Sequence, residues 1–309
     1  MQRTVQPVQQ VEEGVPGIPF TPPRRRRLAP YIIIAPGMLF LLALSIYPLL
    51  YDLWVSLFNW DLVSATHPFV GIQNYIDALT SYDFWHSLGT TLVFVVVVVP
   101  IELVLGVALA LLLVHSGRWQ KIARSLLMMP FVMAPAAVGI LWVIMLNYQY
   151  GVVNYLLGLV GIPARDWASD PTFAMPSVMV VDIWQWTPFV FLIVLAGLQS
   201  ISPEFLEAAR VEGASWWQSV WRVQLPLAKD AITVAVIFRS IQAFRVYDII
   251  FMMTHGGPIN QTTTLSWNIY NRGFSLNNIS YAATYGWLTL AVVLVTGKLV
   301  LRLLQANKA

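Results

Sequence analysis

Six runs of this chain, Tyr31 to Tyr51, Thr90 to Val114, Ser125 to Leu146, Phe173 to Leu198, Ala231 to Met253 and Tyr281 to Leu301, are predominantly apolar and long. A hydrocarbon core about 30 Å thick takes roughly 20 residues of helix to cross. Inside it the backbone finds no water, so each segment must close its own hydrogen bonds. The runs therefore predict six transmembrane helices and an all-α membrane protein. Alternating strands of about ten residues, the mark of an outer-membrane barrel, are absent. Composition agrees, since 58% hydrophobic and 11% charged residues lie outside the soluble globular range.

Basic residues orient the helices. With the N-terminus taken as cytoplasmic, fourteen of the eighteen Lys and Arg fall on inner segments, among them Arg24 to Arg27, Arg118, Lys121, Arg124, Arg210, Arg222, Lys229 and Arg302. Only Arg165 and Arg272 fall on outer ones, and Arg239 and Arg245 lie within the fifth run. By the positive-inside rule both termini are then cytoplasmic. This asymmetry accounts for the net charge of +3 without nucleic acid as a partner. Residues 1–30 hold six prolines and the run Arg24 to Arg27, which predicts a disordered basic cytoplasmic tail that anchors the topology or meets anionic lipid. Residues 31–304 form the membrane domain, and residues 305–309 a second short cytoplasmic tail. With no cysteine, thiolate chemistry and Cys-based metal sites are excluded.

The cytoplasmic segment from Ser202 to Pro226 is charged and carries helix signals between two apolar runs. Ser202 is a candidate N-cap, Pro203 suits the first helical position, and Glu204 and Glu207 lie toward the positive end of the dipole. Gly213 predicts the stop, because glycine adopts a left-handed cap at little cost. Ser215 with Gln218 offers a capping box for a second helix.

Polar residues inside the apolar runs are the other informative feature, since they are expensive in lipid and face the bundle interior or water. Glu102, after Pro100, suits structural hydrogen bonding and a transport path equally. In the fourth run, Asp182, Trp184, Gln185 and Trp186 could meet the hydroxyls and apolar face of a sugar, or could be interfacial belt residues. In the fifth, Arg239, Gln242, Arg245 and Asp248 recur every three positions, which wraps them around the helix. Arg245 and Asp248 can pair at i,i+3, and the helix must be enclosed by protein or border water. Asp77, Asp83 and His86 are too scattered for a metal site. No Gly-x-x-x-Gly pair marks close helix packing.

No Walker A segment, His-Glu-x-x-His helix or Gly-x-Ser-x-Gly elbow occurs, so the chain is read as non-enzymatic, with no catalytic residue and no metal or cofactor of its own.

EAARVEGASWWQSVWRVQLP resembles the EAA signature of permease subunits in binding-protein-dependent ABC importers, with Glu207-Ala208-Ala209, Gly213 and Leu225-Pro226 at the matching spacing. FVGIQNYIDAL, RSLLMMPFVMAPAAVGILW, WQWTPFVFLIVLAGLQSI, AFRVYDIIFMMTHGGP and TTTLSWNIYNRGF are similar to the carbohydrate, or maltose-type, branch. The resemblance covers about Ile32 to Leu304. It implies a MetI-like fold in a prokaryotic cytoplasmic membrane and a second, homologous permease as heterodimer partner. It also implies two cytoplasmic ATPase subunits carrying ATP and Mg2+, and an extracytoplasmic binding protein that delivers a sugar. The loop over residues 202–226 would be the coupling element: Glu204 and Glu207 at the ATPase, Glu207 shaping the loop through polar contacts, Ala208 and Ala209 allowing close approach, Gly213 the turn. Gln185, Trp186, Gln242, Arg245, Tyr247 and Asp248 are the candidates for the substrate path. Arg239 and Arg245 keep glycerol phosphate or another small solute open as cargo. A secondary transporter would instead couple to ions through Glu102 or Asp182.

Overall fold

The computed structural model describes residues 29–114 and 117–306. The expected tails lie almost wholly outside these, although helix already begins at Ala29. Among the described residues there are helices and two isolated bridges but no strand. Met1–Leu50 and Tyr51–Ala309 form separate compact units. The first contributes most of α1 (Ala29–Ser56), whose side chains up to Leu50 are nearly all exposed.

The second unit continues with α2 (Gln73–Thr80), α3 (Tyr82–Leu113), α4 (Arg118–Val132), α5 (Pro135–Met145), α6 (Val152–Leu159) and α7 (Ala174–Gln199). Beyond α7 come the short α8 (Pro203–Val211), α9 (Trp216–Ser219), a π-helical turn at Val220–Gln224, and α10 (Leu225–Leu227). The chain ends with α11 (Lys229–Phe244), α12 (Asp248–Met253), α13 (Leu265–Tyr270), a second π-helical turn at Asn271–Ser275, and α14 (Ile279–Ala306). The Ser81 side chain accepts from Phe84 N to start α3, and Arg124 donates to the carbonyls of Leu113 and Val114 where α3 ends.

Four of the six expected spans are single helices, in α1, α3, α7 and α14. The third is not straight. The basic residues Arg118, Lys121 and Arg124 already belong to α4, and α4 meets α5 at a 97° bend. Pro135 supplies no N–H and holds Ala134 extended, so the ladder cannot run through. The fifth is also broken, with Arg245 to Tyr247 between α11 and α12. The carbonyls freed near that break are satisfied from elsewhere, Phe244 O by Ser266 Oγ and Val246 O by Thr264 Oγ1, both at 3.2 Å. Unpaired carbonyls are costly in lipid, and α13 docks its polar N-terminus there to remove the cost.

The core is built on α3 against α7, with α11 packed on both and α5 packed on α12. Phe94, Val98, Val178, Val181 and Ile250 are fully enclosed in it. Toward the α8 loop, Ala110, Phe191, Val194 and Ala235 form a second cluster. Close packing depends on single glycines rather than a Gly-x-x-x-Gly pair. A Cβ on Gly106 of α3 would lie 2.9 Å from the backbone N of Phe191 in α7, so this helix pair approaches at the limit that glycine allows.

Candidate functional site

Arg239 of α11 is 1% exposed, and its guanidinium is held by two other helices. Nε donates to Glu102 Oε2 at 2.5 Å and Nη2 to Glu102 Oε1 at 2.9 Å, a bidentate pair with α3. Nη2 also bonds Asp182 Oδ2 on α7. The Trp186 ring covers the guanidinium at 5.0 Å, adding a cation–π contact. Glu102 and Asp182 are 0% and 2% exposed, so one guanidinium serves two buried carboxylates. Planar Arg suits this role, because its donors fork to two carboxylates at once.

Beside this cluster, at the α11–α12 break, is a cavity of about 270 Å³. Trp186, Gln242, Arg245, Tyr247 and Asp248 line it together with Asp182. Five of the six residues singled out for a substrate path thus converge. The sixth, Gln185, does not line the cavity; it is buried, and Nε2 donates at 3.1 Å to Met133 O at the α4–α5 bend. It positions the bent span, since a carbonyl leaving a helix end there needs a donor. Trp184 points elsewhere, against Trp142 with centroids 5.5 Å apart.

The Arg245–Asp248 ion pair expected from i,i+3 spacing is not formed. Both side chains are exposed and no bond joins them, because the helix ends between them and the spacing no longer makes them neighbours. The buried arginine is Arg239 instead. Its partners are 137 and 57 residues away in sequence, which helix periodicity cannot reach. The available signal is that the second and fourth apolar runs each hold a lone carboxylate, Glu102 and Asp182, while the fifth holds arginine.

The Ser202–Pro226 loop is the second candidate. Pro203 opens α8, though the Ser202 side chain makes no capping bond. Ala214 N bonds Ala209 O and Gly213 N bonds Arg210 O, with Gly213 at φ +80°, which is a Schellman stop. Ser215 and Gln218 make the reciprocal capping box that starts α9. Glu204, Glu207 and Ala208 are exposed and Ala209 is buried. Glu207, from which shaping contacts are expected, makes no hydrogen bond in the isolated chain. Phe205, Val211, Trp216, Trp217 and Trp221 are each more than half exposed, a large apolar surface for a polar loop. Behind it, a cavity of about 490 Å³ is lined by Leu111 and Val114 from the end of α3, Leu198 from α7, and Leu206 and Trp216 from the loop.

At the opposite end, two asparagines that periodicity did not single out organise the loops. Buried Asn74 donates to Ser56 O and Phe58 O. Buried Asn154 bonds Asn147 O, Arg165 O and the indole of Trp167. Asp83 pairs with Arg272 at 2.7 Å, and His86 Nε2 lies 3.0 Å from Asn260 O. Among the described residues no three His, Asp or Glu side chains gather as a metal site.

Residues 102–307 match the family described as binding-protein-dependent transport system inner membrane component, a match that begins at Glu102 of the buried cluster. The probable ABC transporter permease protein y4oQ of Sinorhizobium fredii is 38% identical over 288 residues, covering 91% of this chain and 93% of that protein. The trehalose/maltose transport system permease protein MalF of Thermococcus litoralis is 35% identical over 246 residues, covering 79% and 83%. A chain of a bacterial ABC transporter involved in the import of alginate superposes with a TM-score of 0.79 at 22% identity, covering 91% of this chain and 96% of that one. The family match spans more than half of the sequence and the 38% identical relative is covered over nearly its whole length, so this multi-pass membrane protein belongs to the binding-protein-dependent transport system inner membrane component family.

Proposed function

We propose that this chain is one half of the translocation path of an ATP-driven sugar importer in a prokaryotic inner membrane. A second, homologous permease completes the path, and two cytoplasmic ATPase subunits bind ATP and Mg2+. An extracytoplasmic binding protein delivers the sugar. The observation that carries the reading is the Ser202–Pro226 loop, where a helix opened by Pro203, a left-handed stop at Gly213 and a second helix with a capping box form a compact unit presenting Phe205 and Glu207 outward. A compact, exposed, partly apolar unit suits transmission of a push, since a mobile loop would absorb it. ATP-driven closure of the ATPase subunits would press on α8 and tilt the bundle, and a loaded binding protein would favour one of its two states through differential affinity.

The cargo path is the cavity beside Arg239. Trp186 and Tyr247 offer ring faces to a sugar, while Gln242, Arg245 and Asp248 offer hydrogen bonds. Exposed Arg245 is the one observation that favours an anionic cargo such as glycerol phosphate, but Asp248 and Asp182 in the same cavity oppose it. Ion coupling through Glu102 or Asp182 is disfavoured, because Arg239 holds both.

The chain has no cysteine, so Phe205→Cys introduces a single one on the exposed face of α8. In membranes containing the whole complex, a short bifunctional reagent is expected to link that residue to the ATPase subunit. A cysteine in place of Tyr82, 77% exposed at the far end of α3, should give no such adduct. A labelled but unlinked Phe205→Cys protein would count against the docking role of α8.

A further inference from the structure

We propose that the aromatic face shared by α12 and α13 is a stacking track that carries the saccharide between the far end of the bundle and the cavity beside Arg239. This rests on the sugar reading and names a surface outside that cavity. Tyr247, just before α12, and Phe251 within it stand four residues apart, as do Tyr270 at the end of α13 and Phe274 in the π-helical turn that follows. The two pairs meet: ring centroids are 4.9 Å apart for Tyr247 and Tyr270, 5.3 Å for Phe251 and Tyr270, and 5.3 Å for Tyr270 and Phe274. Tyr247, Phe251 and Tyr270 pack on the core and keep only part of their surface exposed, while Phe274 is 73% exposed.

The ring cluster joins two polar cavities. Tyr247 lines the first with Arg245 and Asp248, whose exposed charges require water rather than lipid on this side. Trp267, whose ring centroid lies 6.4 Å from Tyr247, 6.0 Å from Phe251 and 6.0 Å from Tyr270, lines a second cavity of about 220 Å³ beside Asp83, His86, Asn271 and Arg272. Along the middle of α3 and the end of α14 the exposed residues Val93, Val96, Val104, Leu294, Val295 and Leu299 are instead aliphatic. A cluster of flat rings between two polar, water-bordering cavities fits a cargo with apolar C–H faces and hydroxyl edges. The electron-rich face of each ring attracts polarised C–H groups, and similar rings in series let the cargo step without a deep trap. A glycerol phosphate has no such ring face to offer.

The test uses the complete complex in proteoliposomes, with radiolabelled trehalose, maltose and glycerol 3-phosphate as probes. Replacing both Tyr270 and Phe274 by leucine keeps apolar bulk and removes the rings. Sugar uptake should fall about tenfold with a raised apparent KM, the scale expected for losing two aromatic contacts, while all subunits still co-purify. Changing Tyr270→Leu back to a ring, as Tyr270→Phe, should restore most of the loss. Undiminished sugar uptake in the double variant overturns the track and leaves the sugar reading standing. Loss of the second permease from the purified double variant would mean that this face is a subunit contact, which also overturns the track. A wild-type complex that carries neither sugar removes the track and the sugar reading together.

Discussion

Arg239→Leu should leave little folded, assembled protein in a detergent extract, because it strands Glu102 and Asp182 without a counter-charge among three packed helices. Breaking a buried ionic cluster by removing one member costs about 3–5 kcal/mol, a large share of a total stability of roughly 5–15 kcal/mol. The loss comes from desolvated charges left behind, so taking those away should reverse it. A triple variant, Arg239→Leu with Glu102→Leu and Asp182→Leu, is expected to recover most of the yield and thermal midpoint seen by fluorescence size-exclusion. A triple variant as poor as the single one would mean that the cluster acts by shape and not by charge. Arg245 and Asp248 are exposed, so neutralising either should alter transport and leave the thermal midpoint near wild type.

Gly213→Val should separate ATP hydrolysis from transport in the assembled complex. A non-glycine residue at φ +80° costs about 1–2 kcal/mol, more for a β-branched one. No heavy atom lies within 4 Å of the added Cβ, so the strain comes from the backbone and not from a clash. The chain can relieve it only by re-aiming α8 against α9, which moves Phe205 and Glu207 relative to a docked partner. The bundle itself is untouched, so insertion and yield should persist. Hydrolysis stimulated by the loaded binding protein is expected to continue while sugar uptake falls about tenfold or more, the scale of a misdirected rigid contact. Uptake equal to wild type in this variant would refute the role given to the turn.

Short-range rules make most local features legible in the sequence, although the Ser202 cap and the Arg245–Asp248 pair expected from such rules do not form. Pro203, Gly213, Ser215 and Gln218 fix α8, its stop and the start of α9 through contacts within six residues. Four apolar runs became straight helices because nothing in them outweighs the ladder. The third was bent by Pro135, whose effect on direction no hydropathy window registers. The fifth broke because α13 supplies Thr264 and Ser266 to the freed carbonyls, partners that lie some twenty residues on. The same limit explains the site. Trp186, Gln242, Arg245, Tyr247 and Asp248 were found one by one as polar or aromatic residues at membrane depth. Their convergence, and the choice of Arg239 over Arg245 as the buried arginine, belong to the packing of α3, α7 and α11.

On the function proposed above, this permease moves sugar only when a separate ATPase drives it. The direct measurement is sugar uptake into proteoliposomes holding the permease pair, with and without the ATPase subunits, loaded binding protein, ATP and an imposed proton or sodium gradient. Uptake that requires ATPase, ATP and binding protein together, and is indifferent to either gradient, is the predicted result. Uptake that persists without the ATPase and collapses with the ion gradient would contradict it.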